Sequence, residues 1–138
     1  MIAKITRGSN PGNIGAYLHG PGHANEHFYE RNGGRYAGGV VVGGNVFVTG
    51  DADEKAWVKE MRAAMRTRPE ITKPIWQASL RNTAGDRRLT DAEWAQAGQS
   101  FAESMGFAEH PWVMVRHADD HVHVVVCRVS DCLLYTSD

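Results

Sequence analysis

The feature that most constrains the fold is a pair of strand-type segments close together in the last third of the chain. Residues 111–117 and 122–129 are rich in β-branched and apolar side chains, and only a short connection separates them. His121, directly before the second segment, and His123 within it alternate with valines. Because alternate residues of a strand point to the same face, the two histidines should project together while the valines face a core.

The rest of the chain predicts alternating strands and helices. We expect a strand at 1–6, a helix at 13–18, a loop at 20–39, a hairpin or edge strand at 40–48, a helix at 53–66 and a strand at 74–81. A further helix begins at Thr90, which forms a capping box with Glu93, and ends at Gly106. This order predicts an α+β domain with helices packed on an antiparallel β-sheet.

Length and composition exclude several classes of protein. A chain of 138 residues is expected to form one domain, and its formal net charge of −1 argues against a purely electrostatic nucleic-acid binder. A nuclease with a local positive site is still allowed. No apolar stretch has the length of a membrane span or of a signal-peptide core. Two cysteines, Cys127 and Cys132, are too few for a disulfide framework, so a cytoplasmic setting is expected.

The strongest chemical signal is a cluster of three histidines within seven residues, His117, His121 and His123. Three imidazoles on one side of a sheet suit a metal such as Zn²⁺, Mn²⁺ or Ni²⁺, and three protein ligands leave positions open for water or substrate. Asp119 and Asp120 are within reach, and one of them could accept a ring N–H and fix a tautomer. The alternative, surface histidines in a polar turn, is disfavoured by the strand spacing.

A second signal surrounds Tyr17, in the segment YLHGPGHANEH. Alone it is weak, because a tyrosine at a helix end is usually an amphipathic core residue and Gly-Pro-Gly is usually a turn. A phenol becomes a useful nucleophile only where cations or a metal favour its anion. Beside a metal site, however, Tyr17 becomes a candidate for catalysis.

Together these stretches resemble a known family, the relaxase/mobilisation nucleases of mobilisable plasmids. The resemblance is carried by MIAKITRGSNPGNIGAYLHGPGHANEH, LRNTAGDRRLTDAEWAQAGQSFAESMGF and WVMVRHADDHVHVVVCRV. The three-histidine motif is shared with HUH-type endonucleases generally. The resemblance implies an antiparallel sheet with the histidines on its central strands and Tyr17 brought over them.

The resemblance also implies an activity, the nicking of one DNA strand at an origin of transfer. Tyr17 would be the nucleophile, leaving a 5′-phosphotyrosine and a free 3′-OH. His117, His121 and His123 would hold a divalent metal, either Mg, Mn, Zn or Ni. The implied partners are single-stranded DNA at the origin and accessory mobilisation proteins.

Further residues acquire roles from the same resemblance. Asp119 or Asp120 would orient a ligand or help to take the tyrosine proton, and Glu26 is a weaker candidate for proton handling. His19 and His27 are interpreted as loop or phosphate-contact residues rather than ligands.

Arginines and tryptophans are less informative. Three arginines at predicted strand ends could contact the DNA backbone, although a solvated surface position is favoured for each: Arg7, Arg81 and Arg116. Two tryptophans lie on apolar helix stripes and are expected in the core: Trp57 and Trp94. Two others could stack on bases or lie in the core: Trp76 and Trp112.

The domain prediction divides the chain into two parts. Residues 1–130 are expected to form the N-terminal part of a relaxase catalytic domain, an incomplete HUH-relaxase-like fold. Residues 131–138 do not continue the family pattern and are interpreted as a non-native tail. Three other functions are compatible with the sequence: another HUH nuclease such as a replication initiator or single-strand transposase, a non-catalytic metal or single-stranded-DNA binding module, and a small-molecule metal hydrolase. In the first of these the tyrosine tends to follow the histidines.

Overall fold

The computed structural model describes residues 2–8, 11–19, 28–31, 34–37, 39–46, 56–83, 85, 87–116 and 118–129. Within these ranges the chain forms β1 (Ile2–Gly8), α1 (Pro11–His19), β2 (Phe28–Arg31), β3 (Gly34–Ala37), β4 (Val40–Gly44), α2 (Ala56–Arg66), β5 (Ile75–Arg81), α3 (Asp91–Met105), β6 (Trp112–Arg116) and β7 (His121–Cys127). None of the helices in the described part of the chain has the length and apolarity needed to cross a bilayer.

Five of the strands form one sheet in the order β1-β5-β7-β6-β4, and every neighbouring pair is antiparallel. The α+β class predicted from the sequence is therefore confirmed. The strand β7 lies in the middle of the sheet, and β6 precedes it as its hairpin partner. At one edge, β4 pairs with β6 and carries a register shift between Val41 and Gly43. Of the two interpretations of 40–48, the edge strand is the one observed, and residues 47 and 48 lie outside the described residues.

The strands β2 and β3 form a separate two-stranded antiparallel sheet. The prediction of a loop over 20–39 is therefore wrong for this part. The high glycine content of the segment favoured a loop, but Asn32-Gly33 between two short runs with aromatic residues is a hairpin signal. Residues 20–27 lie outside the described residues.

Apolar side chains cover both faces of the five-stranded sheet. On one face, side chains of α1 and α2 pack on alternate residues of the strands, including Val115, Val125 and Cys127. On the other face, α3 packs on the intervening residues, including Val122 and Val124. The valines of β7 thus face a core, as the alternation predicted.

All four tryptophans are buried in these two cores. One belongs to α2 and packs on the first face: Trp57. Three lie on the face covered by α3: Trp76, Trp94 and Trp112. Core packing is confirmed for Trp57 and Trp94, and it is also the outcome for the two tryptophans that the sequence left open.

Helix α3 begins and ends as the sequence predicts. The Thr90 side chain accepts a hydrogen bond from the backbone of Glu93, and the Glu93 side chain accepts one from the backbone of Thr90. Gly106 follows the helix in a left-handed conformation with φ of 82°. Along the helix, Gly98 lies against Met114 of β6, where a Cβ would overlap the methionine side chain. Both caps and this contact fix α3 against the sheet.

Candidate active site

His121 and His123 lie side by side on the central strand. They are two residues apart on β7, and their ring centroids are 5.6 Å apart. Across the sheet, His121 is opposite Arg81, while His123 is opposite Ser79 on one side and Val115 on the other. Their face of the sheet is the one that α1 and α2 cover, and both histidines are partly buried. The fold therefore places two candidate ligands at the end of this face, beyond the apolar cluster.

Asp120 fixes the ring of His121. Its Oδ1 lies 2.7 Å from Nδ1 of His121, and its Oδ2 lies 3.0 Å from Nη1 of Arg81. The hydrogen bond from His121 and the positive charge of Arg81 hold the pKa of Asp120 below its usual range. Since the carboxylate is ionised, Nδ1 of His121 carries the hydrogen and donates it. This tautomer leaves Nε2 with a lone pair that suits a metal ion.

Asp119 lies on the same turn, where its Oδ1 is 2.8 Å from Nη2 of Arg88. Both candidate carboxylates therefore lie beside arginines, and Asp120 also contacts a candidate ligand. The arginines come from the end of β5 and from the segment before α3, so three parts of the chain meet at this turn.

The candidate nucleophile Tyr17 comes from the last turn of α1. Its side chain is exposed to 40%, whereas that of the next residue, Leu18, is completely buried in the cluster that contains Val115. Gly39 lies between Leu18 and Val115, where only a glycine fits. A Cβ at this position would lie 2.3 Å from the Leu18 carbonyl oxygen and 2.5 Å from a methyl carbon of Val115. Val115 is the strand partner of His123. Tyr17 thus projects from a helix end held on the histidine-bearing face.

His19 anchors that helix end. Its Nδ1 is 2.8 Å from the Gly39 carbonyl oxygen, and its Nε2 accepts a hydrogen bond of 3.1 Å from Nε1 of Trp57. Both ring nitrogens are therefore used to hold α1 against α2 and the segment before β4. The expectation of a loop or phosphate contact for His19 is replaced by this structural role.

The three candidate arginines have different environments. Arg7 is opposite Trp76, whose side chain lies under α3, so Arg7 belongs to the face away from the histidines. Arg81 lies at the site and pairs with Asp120. The Arg116 side chain is only 3% exposed and forms an ion pair with Asp91. Arg116 is therefore neither a solvated surface residue nor a DNA contact. Its guanidinium is buried, and a buried cation needs a partner such as Asp91.

Comparison with known proteins identifies the family. The model of the MobA/VirD2-like relaxase nuclease domain matches residues 36–133, which is more than half of the chain. The chain belongs to this relaxase family. Searches of curated proteins and of solved structures found no match. The matched part of the relaxase contains β7 with both histidines and begins after α1. The family assignment made from the sequence is confirmed, and with it a DNA-nicking nuclease domain.

Several candidate residues of the relaxase lie outside the described residues, namely His117, Glu26 and His27, together with the segment 130–138. Within the part that is described, no three His, Cys, Asp or Glu residues are grouped so that they could hold a metal ion. Two of the three candidate ligands, His121 and His123, are nevertheless neighbours there. The orientation of His121 by Asp120 is the arrangement in which a carboxylate fixes a metal-binding histidine. Imidazole nitrogens are donors that divalent cations such as Zn²⁺ and Mn²⁺ accept, so the chemistry of these two side chains is compatible with such an ion.

Sequence reasoning missed Arg88 and Asn82 and gave Arg116 a different role, although the contacts of all three hold the turn between β6 and β7. An apolar strand ending in arginine was visible in the sequence. The partner of that arginine was not, because Asp91 is 25 residues away along the chain.

Proposed function

We propose that this chain is a metal-dependent DNA relaxase that nicks one strand at a plasmid origin of transfer. The proposal rests on one observation above all. His121 and His123 lie side by side on the central strand, with Asp120 orienting His121, inside a relaxase nuclease domain. We assign residues 1–130 to the catalytic domain, give residues 131–138 no role, and place the reaction in the cytoplasm on single-stranded DNA with accessory mobilisation proteins.

In this proposal His117, His121 and His123 hold a divalent cation, which is Mg, Mn, Zn or Ni. The support is the donor chemistry, since His121 presents Nε2 while Asp120 binds its Nδ1. When bound, such a cation polarises the scissile phosphate and neutralises charge on its oxygens.

Tyr17 is the proposed nucleophile. Its phenolic oxygen attacks the phosphorus, a P–O bond to tyrosine forms, and the bond to the 3′ oxygen breaks. The phenolic proton passes to a carboxylate, for which Asp119, Asp120 and Glu26 are the candidates, and the departing 3′ oxygen takes up a proton. One phosphodiester replaces another, so the same site can rejoin the strand. The exposure of Tyr17, at the end of a helix whose residue Leu18 packs on the same face of the sheet as the two histidines, supports this role.

The test is the capture of a covalent adduct between the full chain and DNA. The origin sequence is identified in the same experiment, because a random single-stranded library is incubated with Mn²⁺ and protein-linked DNA is recovered under denaturing conditions and sequenced. We expect adducts with the natural chain and none with Tyr17→Phe. Tyr36→Phe is the matched control and should form adducts as the natural chain does.

Two outcomes would contradict the proposal. Equal adduct formation by Tyr17→Phe would transfer the nucleophile to another residue. No adduct with any chain, together with unchanged DNA binding by Tyr17→Phe, would favour the non-catalytic metal or single-stranded-DNA binding module.

A further inference from the structure

A buried guanidinium lies beneath the turn that joins β6 to β7. Arg116 is the last residue of β6, and all three parts of its guanidinium are engaged. Nε donates to the Ala118 carbonyl oxygen at 3.1 Å and Nη2 to the Asp119 carbonyl oxygen at 3.1 Å. Nη1 lies 2.7 Å from Oδ1 of Asp91. One side chain thus binds two consecutive carbonyls of the turn and one carboxylate of α3.

The next carbonyl of the turn, that of Asp120, also accepts a hydrogen bond. The backbone N–H of Asn82 donates to the Asp120 carbonyl oxygen at 2.9 Å. The carbonyls of residues 118, 119 and 120 therefore all accept hydrogen bonds from fixed donors. A turn whose consecutive carbonyls are bound in this way has little freedom to rotate its peptide groups.

This turn carries the chemistry proposed above. It holds Asp119 and Asp120, it leads directly into His121, and it follows His117 in the chain. A rotation of its peptides would move the Asp120 carboxylate away from Nδ1 of His121. The donors that bind its carbonyls therefore also set the direction of the His121 ring.

Asp91 gives the guanidinium a rigid support. It is the first residue of α3, and the capping box of Thr90 and Glu93 fixes that helix end. A carboxylate at a helix N-terminus is stabilised by the helix dipole, and a buried arginine is tolerated only with such a partner. Asp91 at this helix end thus fixes the guanidinium of Arg116, which in turn binds the carbonyls of the turn.

We infer that Arg116, braced by Asp91, is a positioning residue that sets the orientation of Asp120 and His121 for binding a divalent cation. This inference rests on the proposed function of the three-histidine site. A side chain with only a structural role would contribute stability and leave the geometry of His121 unchanged.

Arg128 provides a matched control at the other end of β7. It is also buried, with 7% exposure, and its Nη1 donates to the Lys73 carbonyl oxygen at 3.3 Å. The changes Arg116→Lys and Arg128→Lys each keep a positive charge but lose the planar fork that binds several acceptors. Both variants should therefore lose stability, and only Arg116→Lys should affect the histidine site.

The experiment uses the full chain with two measurements. Long-range ¹H–¹⁵N spectra of the histidine rings report the hydrogen on Nδ1 of His121 without metal, and calorimetry with Mn²⁺ reports affinity. For Arg116→Lys we expect a shifted Nδ1 resonance and a loss of Mn²⁺ affinity of about 10-fold or more. For Arg128→Lys we expect the resonance and the affinity of the natural chain. Asp91→Asn, which keeps an oxygen acceptor, should lie between them and serves if Arg116→Lys does not fold.

The two readouts separate the two hypotheses. A natural chain that does not bind Mn²⁺ would contradict the proposed function, and the ring resonance of His121 would still test the positioning by Arg116. An unshifted resonance in folded Arg116→Lys, or equal shifts in Arg116→Lys and Arg128→Lys, would overturn the inference.

Discussion

At the scale of single residues, the site is organised around the two oxygens of one carboxylate. One oxygen of Asp120 accepts from His121 and the other from Arg81, so the carboxylate lies between a candidate ligand and an exposed cation. The ionised carboxylate keeps the hydrogen of His121 on Nδ1. The electron pair of Nε2 is then directed away from the turn, which is the requirement for a metal-binding imidazole.

Replacing Asp120 tests this arrangement. We expect Asp120→Asn to weaken Mn²⁺ binding by about 10- to 100-fold, because an amide can present its NH₂ group to the ring and no longer fixes the tautomer. Glu70→Gln is a suitable control, since Glu70 is also a carboxylate whose pKa an arginine lowers and it lies outside the site. Calorimetric titration of both variants would contradict the prediction if they bound Mn²⁺ equally well.

The same carboxylate predicts a pH dependence of stability. Its pKa is lower in the folded protein than the ordinary value of about 4, so its pairing stabilises the fold above that value. This contribution is lost as the pH falls through the lowered pKa. We expect the free energy of unfolding to exceed that of Asp120→Asn by less than about 1 kcal/mol at neutral pH, because solvent screens this largely exposed group.

Urea unfolding of both chains over a pH series measures this difference. It should shrink steadily as the pH falls below about 4. A difference that grew towards acid pH would mean that Asp120 is not stabilised in its ionised form.

At the scale of elements, the position of Tyr17 depends on the contact between α1 and the sheet. Leu18 packs in the core, His19 is bonded at both ring nitrogens, and Gly39 allows the backbone of α1 to approach Val115. These three contacts hold the helix end that presents the phenol.

Adding a methyl group at Gly39 should displace this helix end. The new Cβ would overlap the Leu18 carbonyl oxygen, so we expect Gly39→Ala to lower the free energy of unfolding by about 1–3 kcal/mol and to reduce adduct formation. Gly8→Ala is the control, because its Cβ would meet Ile14 of the same helix at an ordinary 3.7 Å. Urea unfolding and the adduct assay, applied to both variants, would refute the prediction if the two behaved alike.

Elements whose signals are local were predictable. Thr90 and Gly106 cap one helix and Glu93 lies in its first turn, and the roles of all three are confirmed. The hairpin of β2 and β3 was missed because glycine density outweighed the signal of Asn32-Gly33.

For the site, the shared face of His121 and His123 followed from strand spacing. Contacts between distant parts of the chain could not be predicted in the same way. The burial of Arg116 depends on Asp91, and the burial of Trp76 depends on α3 covering the opposite face of the sheet. Such pairings follow from packing, which spacing along the chain does not reveal.

At the scale of the whole molecule, the residues that stabilise the sheet and the residues of the candidate site lie in different parts of it. Its middle is covered by apolar side chains on both faces, and its polar histidines lie at one end. Among the described residues, the nearby cations Arg81 and Arg88 are each paired with a carboxylate, and the formal net charge of the chain is −1. Recognition of DNA should therefore depend little on unpaired surface charge.

This charge distribution predicts a shallow salt dependence of DNA binding. For single strands the slope of log K against log salt concentration is about −0.7 per phosphate contacted, so about three contacts give a slope near −2. Anisotropy of a labelled single-stranded oligonucleotide from about 50 to 300 mM NaCl measures it. A slope steeper than about −5 would reveal an extended cationic track and contradict the prediction.

The central position of β7 has a consequence for how this sequence can change over time. Its odd-numbered and even-numbered residues serve opposite faces, so the turn before it sets which side chains reach each face. A shift of β7 by one residue against its neighbouring strands would exchange the histidines with the valines and bury imidazoles under α3. Because the carbonyls of residues 118–120 are all bound by Arg116 and Asn82, an inserted or deleted residue would break these bonds, so a change in the length of this turn is more damaging than a change in its composition.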